Sequence, residues 1–391
     1  MTGLPPGPPP RSEPAPGWNQ SLSTGAPGIA LAHIAAARAG DGDWKTVHGW
    51  AAAMTRASVL AAPDACGLFH GAPAVAFALH AAGHPAYAEA LDILDAHIAA
   101  VTRTRLRAAH ARIDVEQLPR LREFDLISGL TGLGAYLLHR HGEGELLEEV
   151  LAYLVRLVRP IRTDSGEVLP GWWTSDGPDG RPCSEGGHGN LGIAHGVSGP
   201  LALLATAIRH GITVSGQAEA VAQISAWLDD LRRGTPEAPW WPETISRAER
   251  RTGALRQPGP GRPSWCYGTP GLARAQQLAA LALEDEARRR RAEEALAVCI
   301  GDPGQLDSVT DASLCHGWAG LLHTVRAVAA EAPPDSPLAR RLPTLRRQFE
   351  EFIRQHGMPD DNGLLEGRAG VHLAINPCSS VGWDACLLLA G

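Results

Sequence analysis

Lysine is almost missing from this sequence: Lys45 is the only one among 35 basic residues. With abundant Ala, Gly and Pro, that bias reflects a high-GC genome more than any chemistry. No long basic run occurs and the formal net charge is −7, which argues against nucleic acid as the main partner. No stretch approaches the roughly 18 uninterrupted apolar residues of a transmembrane helix. The opening MTGLPPGPPPRSEPAPG has no apolar core and does not read as a secretory signal. Cysteine is present but sparse, at 66, 183, 266, 299, 315, 378 and 386. An odd number so widely spread is not the dense framework of a small disulfide-rich secreted domain. Reduced thiols are expected instead, in a soluble, cytoplasmic, globular chain, and some are free for metal or catalytic use.

What the chain does have is a repeat. A Gly, two residues, a second small residue and an apolar helical run recur seven times. The first glycines are Gly25, Gly71, Gly129, Gly196, Gly268, Gly317 and Gly367; the second position is glycine in all but one, where Ala74 stands. Each instance reads as a loop entering a buried helix, with glycine allowing close backbone approach or positive φ. Between them lie more charged, amphipathic stretches near 85–107, 143–158, 216–233, 283–299 and 338–355. The sequence therefore predicts an all-α protein of about seven glycine-led inner helices and up to seven outer ones. Such pairs stack either as an open solenoid or as a closed ring, an α/α toroid. Two segments interrupt the pattern, 160–190 and 234–264. Rich in Gly, Pro and Trp, they are expected as irregular or short-strand insertions, and long insertions often carry function. Residues 1–17, with seven prolines, are expected to be a disordered tail.

Potential metal ligands cluster at matched repeat positions. Cys266 and Cys315 each lie two residues before a first glycine, and His316 lies one before. Taken singly, a buried Cys is usually a small hydrophobe and a lone His a hydrogen-bonded core residue. If the pairs stack, however, equivalent positions become neighbours in space. Two thiolates and an imidazole then form three-quarters of a tetrahedral zinc shell with one position open, the mark of a catalytic zinc. His195 occupies the same pre-glycine position without a Cys beside it and titrates near neutrality; the plainer alternative is a structural His. Asp125, four before Gly129, either orients His195 or caps a helix. His70 also precedes its glycine but has no evident partner. Arg262 adds a fixed cation near Cys266, and Trp265 and Tyr267 flank that ligand, either packing the turn or contacting substrate.

SWCYGTPG, SLCHGWAG, GIAHGVSGP and FDLISGLTG together resemble the lanthionine cyclases, the LanC-like family, over about residues 20–389. The resemblance implies a single α/α toroid over 18–391 with one catalytic Zn²⁺ at an end of its central cavity. It implies Michael-type addition of a peptide Cys thiol to dehydroalanine or dehydrobutyrine, closing a thioether ring. Carried over by motif, the zinc ligands are Cys266, Cys315 and His316. His195 corresponds to the acid/base histidine, Asp125 to its partner, Arg262 to the active-site arginine, and Trp265 and Tyr267 to aromatics beside the metal. The implied partners are a dehydrated precursor peptide, a separate dehydratase and an export transporter, in a biosynthetic complex that can bring the enzyme to a membrane. Glutathione addition to dehydroamino acids and a non-catalytic scaffold are the competing readings. One departure is visible: a helix usually precedes the first repeat in the family, and PGPPPRSEPAPG cannot supply it. Ring closure is then expected to lean on the C-terminal VGWDACLLLAG or to be incomplete.

Overall fold

A computed structural model describes residues 4–5, 7–183, 185–376 and 381–390; Cys378 falls outside them. Each glycine turn opens an inner helix, and six of these are followed by an outer helix. In chain order they are α1 (Ala26–Ala39), α2 (Trp44–Met54), α3 (Ala72–Ala82), α4 (Ala88–Asp114), α5 (Leu130–His141), α6 (Glu145–Leu157) and α7 (Ser198–Arg209). They continue as α8 (Gln217–Asp230), α9 (Thr269–Ala282), α10 (Glu286–Cys299), α11 (Trp318–Ala330), α12 (Pro337–His356) and α13 (Arg368–Ile375). Odd-numbered helices are inner and largely buried, because both ring neighbours cover them and, for all but α13, a following outer helix does too. Outer helices bury one stripe only; α12 hides just Leu338, Leu345 and Phe349.

The ring is closed. Every inner helix packs against the next, and α13 packs against α1. The turns themselves form a cycle of backbone hydrogen bonds. Leu22 N–H donates to Phe69 O, Phe69 N to Ile127 O, Leu126 N to Ala194 O and Ile193 N to Cys266 O. Cys266 N then donates to Cys315 O, Cys315 N to Leu365 O and Leu365 N to Ser23 O, all at 2.7–3.4 Å. The last of these joins the seventh turn to the first without help from a preceding helix.

Close approach explains most of the glycines. Of the first glycines before a helix, only Gly71 and Gly268 have positive φ, 77° and 83°. The second glycines are needed for space. A Cβ on Gly271 would stand 2.0 Å from Trp265 O, and one on Gly28 would meet Leu22 O at 2.2 Å and Leu364 Cβ at 2.8 Å. Three residues before each first glycine sits a fully buried side chain: Leu22, Leu68, Leu126, Ile193, Trp265, Leu314 and Leu364. These wedge between neighbouring turns and fix their spacing.

The C-terminal segment does not seal the seam as expected. It enters the ring: Trp265 Nε1 donates to Leu387 O, Arg274 donates to Leu389 O, and His323 meets Asp384 at 3.0 Å. Val381–Leu389 thus touches helices around the circle and fills the lumen. The two insertions form short antiparallel pairs, β1 (Ile161–Arg162) with β2 (Val168–Leu169), β4 (Arg233–Thr235) with β5 (Ala238–Trp240), and β3 (His188–Asn190) with β6 (Thr244–Ser246). The β3–β6 pair brings the two insertions together beside the fourth and fifth turns. The described tail residues carry no helix or strand up to Trp18. Arg56 donates to the carbonyls of Pro10 and Arg11, and Gly17 lies against the His70 ring.

Candidate metal centre and active site

Equal offsets in the repeat become a cluster because the turns share one backbone cycle. Cys266 and Cys315 occupy the same step, tied by the bond from Cys266 N to Cys315 O. One ligand atom from each of Cys266, Cys315 and His316 lies within 4.8 Å of the other two. Ligands of a tetrahedral zinc stand roughly 3.8 Å apart, so this donor set fits the metal with a small contraction. No other Cys, His, Asp or Glu among the described residues joins it, so a tetrahedral ion held there would have one position not filled by these three ligands. A hydrogen bond from Cys315 draws the Cys266 thiol down to about 5 against the opposing effect of burial, with His316 assisting. The Cys315 thiol is raised in turn by that same bond and by burial. The two sulfurs therefore compete for one proton, and a metal that needs both as thiolates displaces it.

His195, in the fourth turn, faces the same mouth and is 41% exposed at its side chain. Its Nδ1 lies 2.7 Å from Oδ2 of Asp125, which is buried. The other carboxylate oxygen accepts from Ser128 N at 2.7 Å, so one aspartate caps a turn and holds the ring of its neighbour. Burial opposes the imidazolium, but the bond and charge of Asp125, aided by Cys266, raise the His195 pKa overall. Nδ1 is committed to Asp125, and Nε2 remains to carry a proton at the mouth.

Arg262 reaches across to the sixth turn, 3.8 Å from Asp311 Oδ2, and its side chain is 38% exposed. Tyr267 lies between His195 and His316 at the same step, with its hydroxyl accepting from Asn190 Nδ2 at 2.9 Å. Burial pushes that phenol up to about 12, so it stays protonated. Trp265 is elsewhere. Its indole has no exposed surface and fills the wedge position that six other turns give to Leu or Ile. Of its two expected roles, packing the turn is the one the geometry supports; contact with substrate is not. His70 meets the tail, where Gly17 lies against its ring.

Sequence reading missed Asp311, Asn190 and Glu243. Asp311 repeats the Asp125 device: Oδ1 accepts from Ser313 N at 2.8 Å, while Oδ2 lies 3.5 Å from His316 Nε2. Its carboxylate thus faces the imidazole of a candidate ligand and, after the Cys266 hydrogen bond, helps to raise the His316 pKa against the effect of burial. Asn190, Arg262 and Asp311 all stand six residues before a first glycine, so the repeat offset could have found them. Glu243 had no such signal. Its half-buried carboxyl is raised first by burial and then by the Cys266 charge, with Arg262 opposing.

Fold and site together define an α/α toroid with a Cys–Cys–His centre at the mouth of its ring, faced by an Asp-held histidine and an arginine. Residues 16–388 match the family described as lanthionine synthetase C-like protein, and the chain belongs to that family. It is 22% identical to the nisin biosynthesis protein NisC of Lactococcus lactis subsp. lactis over 258 residues, 65% of this chain. That match spans 60% of the relative's length. A solved structure titled nisin cyclase superposes with a TM-score of 0.80 at 20% identity, covering 96% of this chain and 93% of the other. The closed toroid that the family resemblance implies, one of the two stackings the repeat allows, is the fold of that structure.

Proposed function

We propose that this protein is a zinc-dependent lanthipeptide cyclase, adding peptide Cys thiols to dehydroalanine or dehydrobutyrine to form lanthionine and methyllanthionine rings. The observation that carries the reading is the three-ligand cluster with its open position, faced by the Asp125–His195 pair on a LanC-like ring. Zinc held by Cys266, Cys315 and His316 supplies the lowered thiol pKa, since a free thiol at about 8.5 is mostly protonated at neutrality.

The chain's own groups account for the rest of the addition. Attack of sulfur on the β-carbon breaks the carbon–carbon π bond, and its electron pair moves to the carbonyl oxygen as an enolate. Arg262 stands as a fixed cation for that charge. His195, as imidazolium, delivers a proton from Nε2 to the α-carbon, and the proton lost by the thiol restores the balance. Asp125 holds the ring in one tautomer and favours the charged form before transfer. No oxidant or reductant is consumed.

The proposed substrate is a precursor peptide dehydrated by a separate enzyme. Cytoplasmic residence, docking to a dehydratase and contact with a transporter belong to the same proposal. Among the described residues no helix is long and apolar enough to cross a membrane. The test is incubation with a dehydrated precursor, counting alkylatable thiols with time. Cyclisation leaves the mass unchanged and removes thiols. Loss of thiols only with added glutathione, accompanied by a mass gain, would favour intermolecular addition; no loss at all would favour a scaffold. Metal analysis should find about one zinc per chain, most of it lost in Cys315→Ala.

A further inference from the structure

A chain of buried polar groups runs from the surface through the first insertion to the active-site tyrosine, and its donor directions follow from elementary bonding. Asp176 anchors it, accepting from Arg120 Nε at 2.8 Å and Leu121 N at 3.0 Å. Its backbone carbonyl lies 2.8 Å from His188 Nδ1. A carbonyl only accepts, so Nδ1 carries the hydrogen and Nε2 keeps a lone pair. Asn190 Nδ2 approaches that nitrogen at 3.4 Å and the Tyr267 hydroxyl at 2.9 Å.

The orientation of the Asn190 amide is equally determined. Gly192 N–H donates to its oxygen at 3.0 Å, and a backbone N–H cannot face an NH₂ group. The amide nitrogen must therefore face the tyrosine, whose oxygen accepts. Its own O–H is left over, and it donates to no protein group among the described residues. Asp176, His188 and Asn190 are each at least 97% buried. Fully satisfied polar chains at such depth specify a single arrangement.

We propose that Asn190, set by His188 and Asp176, is a positioning residue that makes the Tyr267 hydroxyl a dedicated donor to the substrate carbonyl oxygen on which the enolate forms. This rests on the cyclase reading and adds to it a second donor beside Arg262, held from outside the helical ring. It also gives the insertion a use. Strand β3 carries His188 and Asn190, and its pairing with β6 at His188–Ser246 and Asn190–Thr244 locks their register. Tyr267 is the only one of the four with access to the mouth.

Asn190→Asp is the informative variant, because it keeps an acceptor for Gly192 N while its second oxygen turns the tyrosine hydrogen away from the cavity. We expect kcat to fall on the order of 10²-fold, as when one transition-state donor is lost, with KM, zinc content and melting temperature near wild type. Tyr267→Phe should show the same loss. In the Tyr267→Phe background, Asn190→Asp should cost no more than about twofold, since its effect acts through the missing hydroxyl. A wild-type rate in either single variant, or an undiminished Asn190→Asp penalty in the Phe background, would overturn the proposal. An inactive wild-type protein would remove the cyclase reading itself, and this with it.

Discussion

Asp125 and Asp311 show how single residues are spent in this site. Each gives one oxygen to the backbone of its own turn; the other is hydrogen-bonded to His195 for Asp125 and lies 3.5 Å from His316 for Asp311. For His195 the consequence is a folded pKa above its ordinary value. The pair therefore contributes stability that is fully present below the unfolded pKa and fades as pH rises through the folded one. Asp125→Asn removes the charge, so the alkaline limb of the rate profile should move to lower pH by on the order of one unit, measured from kcat against pH. A limb that stays in place would free His195 of its proton-donor role. For Arg262 the deciding magnitude is the weakness of its ion pair. At 3.8 Å and over a third exposed, the contact with Asp311 contributes little to stability. Arg262→Ala should then keep zinc and melting temperature while losing about 10²–10³ in rate, and Arg262→Lys should recover only part. A near-wild-type rate at saturating precursor would take Arg262 out of the mechanism.

At the scale of elements, the glycine turns were legible in sequence and their wiring was not. The offsets placing Cys266, Cys315, His316 and His195 at one mouth could be counted along the chain, because equal steps in stacked repeats become neighbours. The hydrogen-bond cycle and the wedge side chains could not, since they depend on which backbone atoms meet. Trp265 illustrates the limit: beside a ligand in sequence, it reads equally as packing for the turn or as a contact to substrate, and its offset makes it the bulky counterpart of six aliphatic wedges. Helix α2 was legible but overlooked: Val47, Trp50, Ala51 and Met54, all buried, stand at helical spacing in a segment with Lys45 as its one charge. The wiring has a measurable consequence. Gly271→Ala must push a Cβ to 2.0 Å from Trp265 O and 3.0 Å from Ile193 Cγ2, in a place with no room to relax. It should cost more than about 2 kcal/mol in urea unfolding. Gly40→Ala meets no atom within 4 Å and pays only for its left-handed φ of 84°, roughly 1–2 kcal/mol. Equal costs at the two positions would mean that turn spacing is not what holds the ring.

For the whole molecule, closure comes from the turns and filling from the C-terminus. Trp383, Cys386, Leu387 and Leu389 are almost wholly buried inside the circle, although nothing periodic in the sequence announces them. Their anchor is Arg274, a guanidinium with 1% exposure. It donates twice to Leu389 O, at 3.0 and 2.7 Å, and also to Gln277 and Glu331. Burial lowers its pKa and Glu331 offsets part of that, so the charge is tolerable only while these acceptors stay in place. Two variants separate volume from polarity. Leu389→Ala keeps the carbonyl and leaves a cavity, a loss of about 2–5 kcal/mol with zinc affinity unchanged. Ending the chain at residue 380 removes the one acceptor that takes two hydrogen bonds from Arg274, and with it the partner of Trp265 Nε1, one residue from Cys266. That truncation should lower stability by more than the alanine variant, since it empties the lumen of several buried side chains and also strips a buried guanidinium of two hydrogen bonds, with only Gln277 and Glu331 left to it. It should also weaken zinc binding, because the turn that carries Cys266 loses its tie to the lumen. Competition with a chelator reads the metal, and urea unfolding reads the fold. A truncated chain that melts at the wild-type temperature and holds zinc as tightly would show that the ring stands without its filling.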